Sequence, residues 1–328
     1  MRFLAASVLL AAPFVLSACG GSGERAGSSD ASTAASGECP TDPVDVVVSV
    51  DQWGDIVSQL GGSCAKVTTV LASSSVDPHD YEPSPSDAAL FEGAQLVVIN
   101  GGHYDEWAAK LAASSAPDAP VINAFELSGS EPSGGDAGHE HEEGADHDHA
   151  DEGNPHVWYK PSAVSSVAKS VTSELGKLAP SATDYFAERH AAFESVMKPY
   201  YDTIADIKSH ASGKSFAATE SVFDYMGEAV GLQNRTPEGY QLSSANETEP
   251  TPADLDAFLR LLAQRGVDVL IYNTQTEGSV PEQIRSAAQN AGVPVVEVTE
   301  TVPPDTDSFQ NWQIRQLDSL AKALGVPD

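Results

Sequence analysis

Residues 44–71 read VDVVVSVDQWGDIVSQLGGSCAKVTTVL. The two ends of the stretch, 44–50 and 66–71, are short apolar runs rich in valine, the composition of strands that fit a buried pleated surface. Residues 52–60 between them predict a helix. Strand, helix and strand in immediate succession make a βαβ unit, whose strands lie parallel because the helix carries the chain back. The alternation continues, with strands expected at 95–99 (QLVVI) and 120–122 and helices at about 85–92 and 104–115. A second alternating segment predicts strands at 214–218 (KSFAA), 267–272 (VDVLIY) and 293–298 (VPVVEV), separated by helices at 221–230, 252–265, 280–291 and 308–324. From Pro161 to about residue 211 the pattern is helical, broken only near Pro180. There Phe186, His190, Phe193, Met197 and Tyr200 recur at three- and four-residue steps. The expected fold class is α/β: two lobes with mainly parallel sheets, residues 44–180 and 212–328, joined by one long rigid helix over 181–211.

The chain opens MRFLAASVLLAAPFVLSACGGSG. One arginine precedes an apolar run from Phe3 to Leu16 that is too short to span a bilayer, so residues 1–18 have the layout of an export signal. LSAC, Leu16 to Cys19, followed by glycine, resembles the bacterial lipobox. That resemblance implies cleavage before Cys19 and a lipid on its sulfur. Residues 19–43 then form a tether rich in Gly, Ser and Ala, unable to bury enough surface to offset its ordering entropy. The expected location is the extracytoplasmic face of the cell membrane, with monomers held by a lipid anchor. Nothing later in the chain is long and apolar enough to cross the bilayer.

Cys39 and Cys64 each sit just before an apolar run, in a compartment where disulfides persist. If those runs are neighbouring parallel strands, their starting ends lie side by side and a bridge is feasible. It would stabilise the fold by about 3 kcal/mol in the chain-entropy model. A thiolate metal site is disfavoured because the pair lacks CxxC spacing. Forty-eight Asp and Glu against 17 Lys and Arg give a formal charge of −31. Such a surface repels nucleic acid and anionic lipid and draws cations toward any cleft. Solubility accounts for most of this acidity, so charge argues only against polyanionic partners.

Two short stretches look alike: DPHDY holds His79 and NPHVW holds His156. In each, Asp or Asn precedes Pro-His and an aromatic residue follows two places later. Proline fixes its own φ and pushes the preceding residue toward extended geometry, which sets the approach of the histidine. Rigid placement suits a metal ligand, and neutral imidazole suits borderline divalent metals. Glu220 ends KSFAATE and Glu300 ends VPVVEVTE, each just beyond a predicted strand. In open α/β sheets ligands bind outside the carboxyl ends of strands, so both acids are candidates. Glu220 alone reads equally as an acid stabilised at a helix N-terminus. Glu277, in NTQTEG, competes with Glu300.

DPHDYEPSPSD, NPHVW, the TE-x-x-F-x-Y run at 219–225 and the late VTET resemble the zinc- and manganese-binding lipoproteins of bacterial ABC importers, the cluster A-I solute-binding proteins. The likeness covers nearly all of the chain beyond residue 44. It implies one metal in a cleft between two lobes, held by His79, His156, Glu220 and Glu300. Aspartate is commoner than glutamate at the last position, so Glu300 departs mildly from the pattern. The resemblance also implies a membrane permease as partner and no enzymatic activity.

His139, His141, His147 and His149 lie in the acidic low-complexity stretch 129–153, among glycines and acids with nothing to position them. Zinc-type members of the family carry a His-rich loop at this place, which reads here as a weak, fast-exchanging zinc collector; the alternative is a solvated spacer. Two neutral imidazoles and two carboxylates balance a divalent cation, and the absence of thiolates disfavours soft copper. The loop favours Zn2+ as cargo, whereas glutamate at 220 is commoner in Mn2+ sites. Without metal, two facing carboxylates are expected to repel and hold the lobes slightly apart.

A secreted metallohydrolase is disfavoured because no HExxH occurs and four protein ligands leave no open position for water. Ser166-Val-Ala-Lys169 lacks the SDN and KTG companions of penicillin-binding enzymes. Gly213-Lys214-Ser215 resembles the end of a phosphate loop but lacks the upstream glycine and precedes a strand. An adhesin role finds no separate module.

Overall fold

The stretch 44–71 folds as β1 (Val44–Val50), α1 (Asp51–Gly61) and β2 (Ala65–Leu71), with β1 and β2 parallel and Val46 level with Val67. The computed structural model describes residues 37–72, 81–129, 153–246, 248–276 and 278–327. Val46, Val47, Val48 and Val50 are all buried, as a central parallel strand covered on both faces requires. After β2 come α2 (Pro85–Phe91), β3 (Leu96–Ile99), α3 (Glu106–Ser115), β4 (Val121–Asn123) and the short α4 (Ala124–Leu127). The first sheet has the order β2-β1-β3-β4, parallel throughout.

Two helices follow. α5 (Pro161–Leu178) starts on a proline at its first position, where the missing N–H costs nothing. A tight turn over 180–182 leads into α6 (Thr183–Ala211), whose 29 residues span roughly 44 Å at 1.5 Å per residue. α6 buries Phe186, Phe193, Met197, Tyr200, Ile204, Ile207 and Ala211, a stripe at three-, four- and seven-residue steps. Pro199 lies inside it and removes one helical hydrogen bond.

The second half repeats the plan. β5 (Ser215–Ala218), α7 (Asp224–Ala229), β6 (Gln233–Asn234), α8 (Glu238–Ala245), α9 (Pro252–Ala263), β7 (Val269–Asn273), α10 (Ser279–Ala291), β8 (Val295–Val298) and α11 (Phe309–Leu324) follow in order. The sheet order β6-β5-β7-β8 matches that of the first sheet, again all parallel. One large core runs from the first sheet through α5, α6 and α11 to the second sheet. A smaller core lies on the other side of the second sheet, where Leu270 packs with Phe258, Leu262 and Ile284 of α9 and α10. The fold is the two-lobed α/β arrangement expected from the alternation of strands and helices.

Four elements differ from the sequence reading. β6 has only two residues, too few for a period-2 signal, and α4 and α8 lie in Gly-, Pro- and Asn-punctuated text that reads as loop. α3 begins at Glu106, two residues later than expected, because Gly101, Gly102 and His103 all adopt positive φ and turn the chain before it. Cys39 and Cys64 are joined in a disulfide that ties the approach to β1 to the turn before β2. Among the described residues no helix is long and apolar enough to cross a membrane. Cys19, the 1–18 signal and most of the tether lie outside the described residues.

Candidate metal centre

Sheet register brings the second-half acids together. Ala218 of β5 is level with Ile271 of β7, and Asn273 of β7 is level with Val298 of β8. Two residues beyond Ala218 comes Glu220, two beyond Ile271 comes Asn273, and two beyond Val298 comes Glu300. β7 lies between β5 and β8, so Asn273 stands between the two glutamates. Its Nδ2 donates to Glu220 Oε2 at 2.5 Å and to Glu300 Oε1 at 2.8 Å. The direction of the amide is set at its other end, where Oδ1 accepts from the Gln275 backbone N–H at 3.0 Å. Asn273 is 1% exposed. Burial, and after it the charge of Glu300, raises the Glu220 carboxyl above its ordinary range.

Glu300 is held along its whole length. Its N–H donates to Gln275 Oε1 at 2.6 Å, and its carbonyl accepts from Gln52 Nε2 at 2.8 Å. Tyr104 Oη donates to Glu300 Oε2 at 3.4 Å.

His156 approaches the same carboxylate: its Nε2 lies 3.7 Å from Glu300 Oε2. The hydrogen bonds fix the orientation of the ring. Asn154 Nδ2 donates to the Ser221 carbonyl at 2.7 Å, an acceptor only, so Asn154 Oδ1 is the end facing the imidazole. That oxygen lies 2.7 Å from His156 Nδ1 and accepts from it, which places Nε2 on the side of Glu300. The Trp158 ring meets the imidazole edge-on at 5.2 Å, and Tyr104 does so at 6.1 Å. Asn100 donates to the Pro155 carbonyl at 3.0 Å and so holds the turn that carries the histidine. Asn100 is itself fixed, because its N–H donates to the buried Asp105 at 2.7 Å and its Oδ1 accepts from Trp53.

The halves meet around this point through bonds that involve neither carboxylate group. Tyr159 Oη reaches the Thr299 carbonyl and Gln316, Asp55 accepts from the Phe309 N–H at the start of α11, and Tyr225 donates to the Asn154 carbonyl. Glu220 and Glu300 both lie on the second half, so their repulsion does not act between the halves as expected; Asn273 bridges the two acids, and direct bonds join the halves. Of the sequence-derived candidates, His156, Glu220 and Glu300 are brought together. His79, Glu277, His139, His141, His147 and His149 lie outside the described residues. Among the described residues, no group of three or more His, Cys, Asp and Glu side chains is arranged to hold a metal ion.

Sequence reasoning missed the neutral side chains around the acids: Gln52, Asn100, Tyr104, Asn154, Asn273 and Gln275. A signal existed for two of them. Asn154 belongs to the NPH motif, and Asn273 is a polar residue closing an otherwise apolar run, VLIYN. The others are legible only once the strand ends are assembled.

The chain is 24% identical over 284 residues to the protein named zinc-binding lipoprotein AdcA of Streptococcus pneumoniae serotype 4, covering 82% of this chain and 53% of that one. The chain thus spans about half the length of that relative. It is also 24% identical to the Bacillus subtilis high-affinity zinc uptake system protein ZnuA, covering 85% of this chain and 83% of that one. In fold it resembles the periplasmic zinc binding protein TroA from Treponema pallidum, with a TM-score of 0.68 at 19% identity, over 86% of this chain and 99% of that one. The family model for ZnuA, zinc-uptake complex component A, periplasmic, matches residues 46–323, and the chain belongs to that family.

Proposed function

We propose that this chain captures a divalent transition metal outside the cytoplasm, Zn2+ in preference to Mn2+, and hands it to the membrane permease of an ABC importer. One observation carries the reading: two carboxylates at strand ends, Glu220 and Glu300, are joined through Asn273, and His156 on a connecting segment brings its Nε2 to 3.7 Å from Glu300. A divalent cation beside them relieves the mutual repulsion of the acids and meets the Nε2 side of the imidazole. His79 supplies the fourth ligand from the DPHDY motif. Glu300 is preferred to Glu277 because it shares the Asn273 amide with Glu220. The ligand set is neutral overall with a divalent ion and leaves no position for an activated water, so the protein is a carrier and not an enzyme. Family membership supports the permease partnership.

The same proposal includes the parts outside the described residues. Residues 1–18 direct export, Cys19 carries a lipid, and residues 19–43 tether a monomer to the cell membrane. Residues 44–180 and 212–328 are the two lobes, with 181–211 the helix between them. His139, His141, His147 and His149 collect zinc weakly and pass it inward.

The test is metal binding by the purified chain. At a thousand times its Kd, a bound ion stabilises the fold by about 4 kcal/mol, which a rise in thermal midpoint reports. An unchanged midpoint with Zn2+ and with Mn2+ would overturn the reading. Zinc exceeds manganese in affinity for almost any N/O site. Cargo is therefore decided by competition at buffered free-metal levels, and by growth of a deletion strain on zinc- or manganese-depleted medium.

A further inference from the structure

Residues 300–309 form a strap from the end of β8 to the start of α11. Pro303 and Pro304 at its middle have no N–H to donate. The second half holds the strap by Gln275, which accepts from the Glu300 and Thr301 N–H groups, and by Arg315, which donates to the Asp305 carboxylate and carbonyl. The first half holds it by one face of α1. Gln52 donates to the Glu300 carbonyl at 2.8 Å, Asp51 accepts from the Val302 N–H at 3.5 Å, and Asp55 accepts from the Phe309 N–H at 2.7 Å. One turn on, Gln59 donates to Gln310 at 3.0 Å. Positions 51, 52, 55 and 59 lie along one side of the helix, while Trp53, Ile56, Val57 and Leu60 on the other side enter the core. Polar groups recover hydrogen bonds from water when such a contact opens, so a seam of this kind opens more cheaply than an apolar one.

Two of the four clamping side chains are acids, both half-buried in the seam. Burial is the main cause that raises both carboxyls, that of Asp51 to about 7. Among the described residues no cation pairs with either. Asp307 bears on Asp55 and is itself an acid. Arg189 of α6 is bonded to the Gln59 carbonyl at the far end of α1, Arg315 of α11 to Asp305, Lys66 of β2 to Asp45 and Lys177 of α5 to Glu174. The Glu300 carboxylate is turned to Asn273 and His156.

We propose that α1 is a pH-dependent clamp, which holds the strap to the first half in acid and loosens its grip as Asp51 and Asp55 ionise. In the closed seam each acid stays neutral over a pH range where the same acid, hydrated in an opened seam, is ionised. Opening is therefore favoured progressively as pH rises from about 4 to about 7, by up to about tenfold per pH unit for Asp51, and levels off above that. Asp55 adds in the same direction. Glu300 rides on the strap, so the clamp also sets how readily that side chain leaves the site. This consequence rests on the reading that Glu300 holds the cargo ion; the clamp itself does not.

The test is hydrogen exchange at the Val302 and Phe309 amides of the metal-free protein from pH 5 to pH 8, corrected for the chemical exchange rate. Opening at Val302 is expected to rise by up to about tenfold per unit to pH 7 and then to flatten. The Val97 amide, bonded to the Pro120 carbonyl within the first half, is expected to keep constant protection. In Asp51→Asn the rise at Val302 should shrink to the part that Asp55 contributes, and in the double variant with Asp55→Asn it should vanish. Should the double variant fail to fold, the wild-type series and Asp51→Asn decide. Opening at Val302 that is independent of pH in the wild type, or a rise that Asp51→Asn leaves intact, would overturn the clamp. Added Zn2+ is expected to slow exchange at Val302 at pH 7. If it does not while the pH dependence stands, Glu300 loses its place as a ligand and the clamp remains.

Discussion

The two sheets share one strand order, yet their carboxyl ends serve the site differently. The second sheet carries candidate ligands directly on its strand ends: Glu220 follows β5, Glu300 follows β8, and Asn273 at the end of β7 holds both. The ends of the first sheet carry no ligand among the described residues. They supply Gln52, Asn100 and Tyr104, which steady Glu300 or the turn bearing His156. The acids need rigid backbones because two like charges must be held close together. The imidazole sits on a connecting segment, where its orientation is imposed from outside. Asn154, Asn100 and Trp158 impose it.

The sharpest way to break this contrast is to remove a charge from the second sheet. Glu300→Gln keeps the size of the side chain and its capacity to accept from Asn273, but leaves a divalent ion with one negative ligand. Zinc affinity is expected to fall by more than the ~10–100-fold typical of losing an outer partner. Isothermal titration or dye competition measures it. A loss below tenfold would move the second carboxylate ligand elsewhere, with Glu277 the first alternative.

Next in size is the first half's orienting contact. Asn154→Ala removes the acceptor at His156 Nδ1 and the bond to Ser221 while leaving every candidate ligand in place. Zinc affinity is expected to drop by ~10–100-fold, through loss of the contact that places Nε2 on the side of Glu300. An affinity equal to that of the wild type would mean that Trp158 and the Pro155 turn suffice to aim the ring. The two variants together test whether the acids matter through charge and the imidazole through orientation.

Much of this contrast is legible in the sequence, and the remainder is hidden for physical reasons. VDVVVSV and VDVLIY announce buried parallel strands by composition alone. The acids of KSFAATE and VPVVEVTE are visible because they sit immediately beyond such runs. The pairing of Glu220 with Glu300 depends on β7 lying between β5 and β8, a matter of sheet order that no local pattern encodes. Asn273 is therefore invisible as a bridge until the register is known. The two-residue β6 and the Gly-rich turn at 101–103 fail for the opposite reason: they are set by tertiary packing over too few residues to leave a periodic trace.

The smallest expected effect concerns the seam between the halves in the metal-free protein. Asp51, at the start of α1, accepts from the Val302 N–H at 3.5 Å, and burial pushes its carboxyl up to about 7. An acid whose folded pKa lies above its unfolded value is protonated in the folded state and ionised in the unfolded state between the two. Its contribution therefore disfavours folding progressively as pH rises from about 4 to about 7, and levels off above that. Asp51→Asn keeps an acceptor for Val302 and removes the charge. Each pKa unit is worth about 1.4 kcal/mol, but the new amide must satisfy two donors at a cost of about 1–3 kcal/mol, so the net gain at pH 8 is on the order of 1 kcal/mol. Denaturant unfolding at pH 8 and pH 4 checks the sign: the variant should be the more stable at pH 8, and that advantage should be gone at pH 4. A gain of equal size at both values would show that Asp51 is strained by packing instead of by its charge, and that the seam, like the first sheet, is governed by neutral contacts.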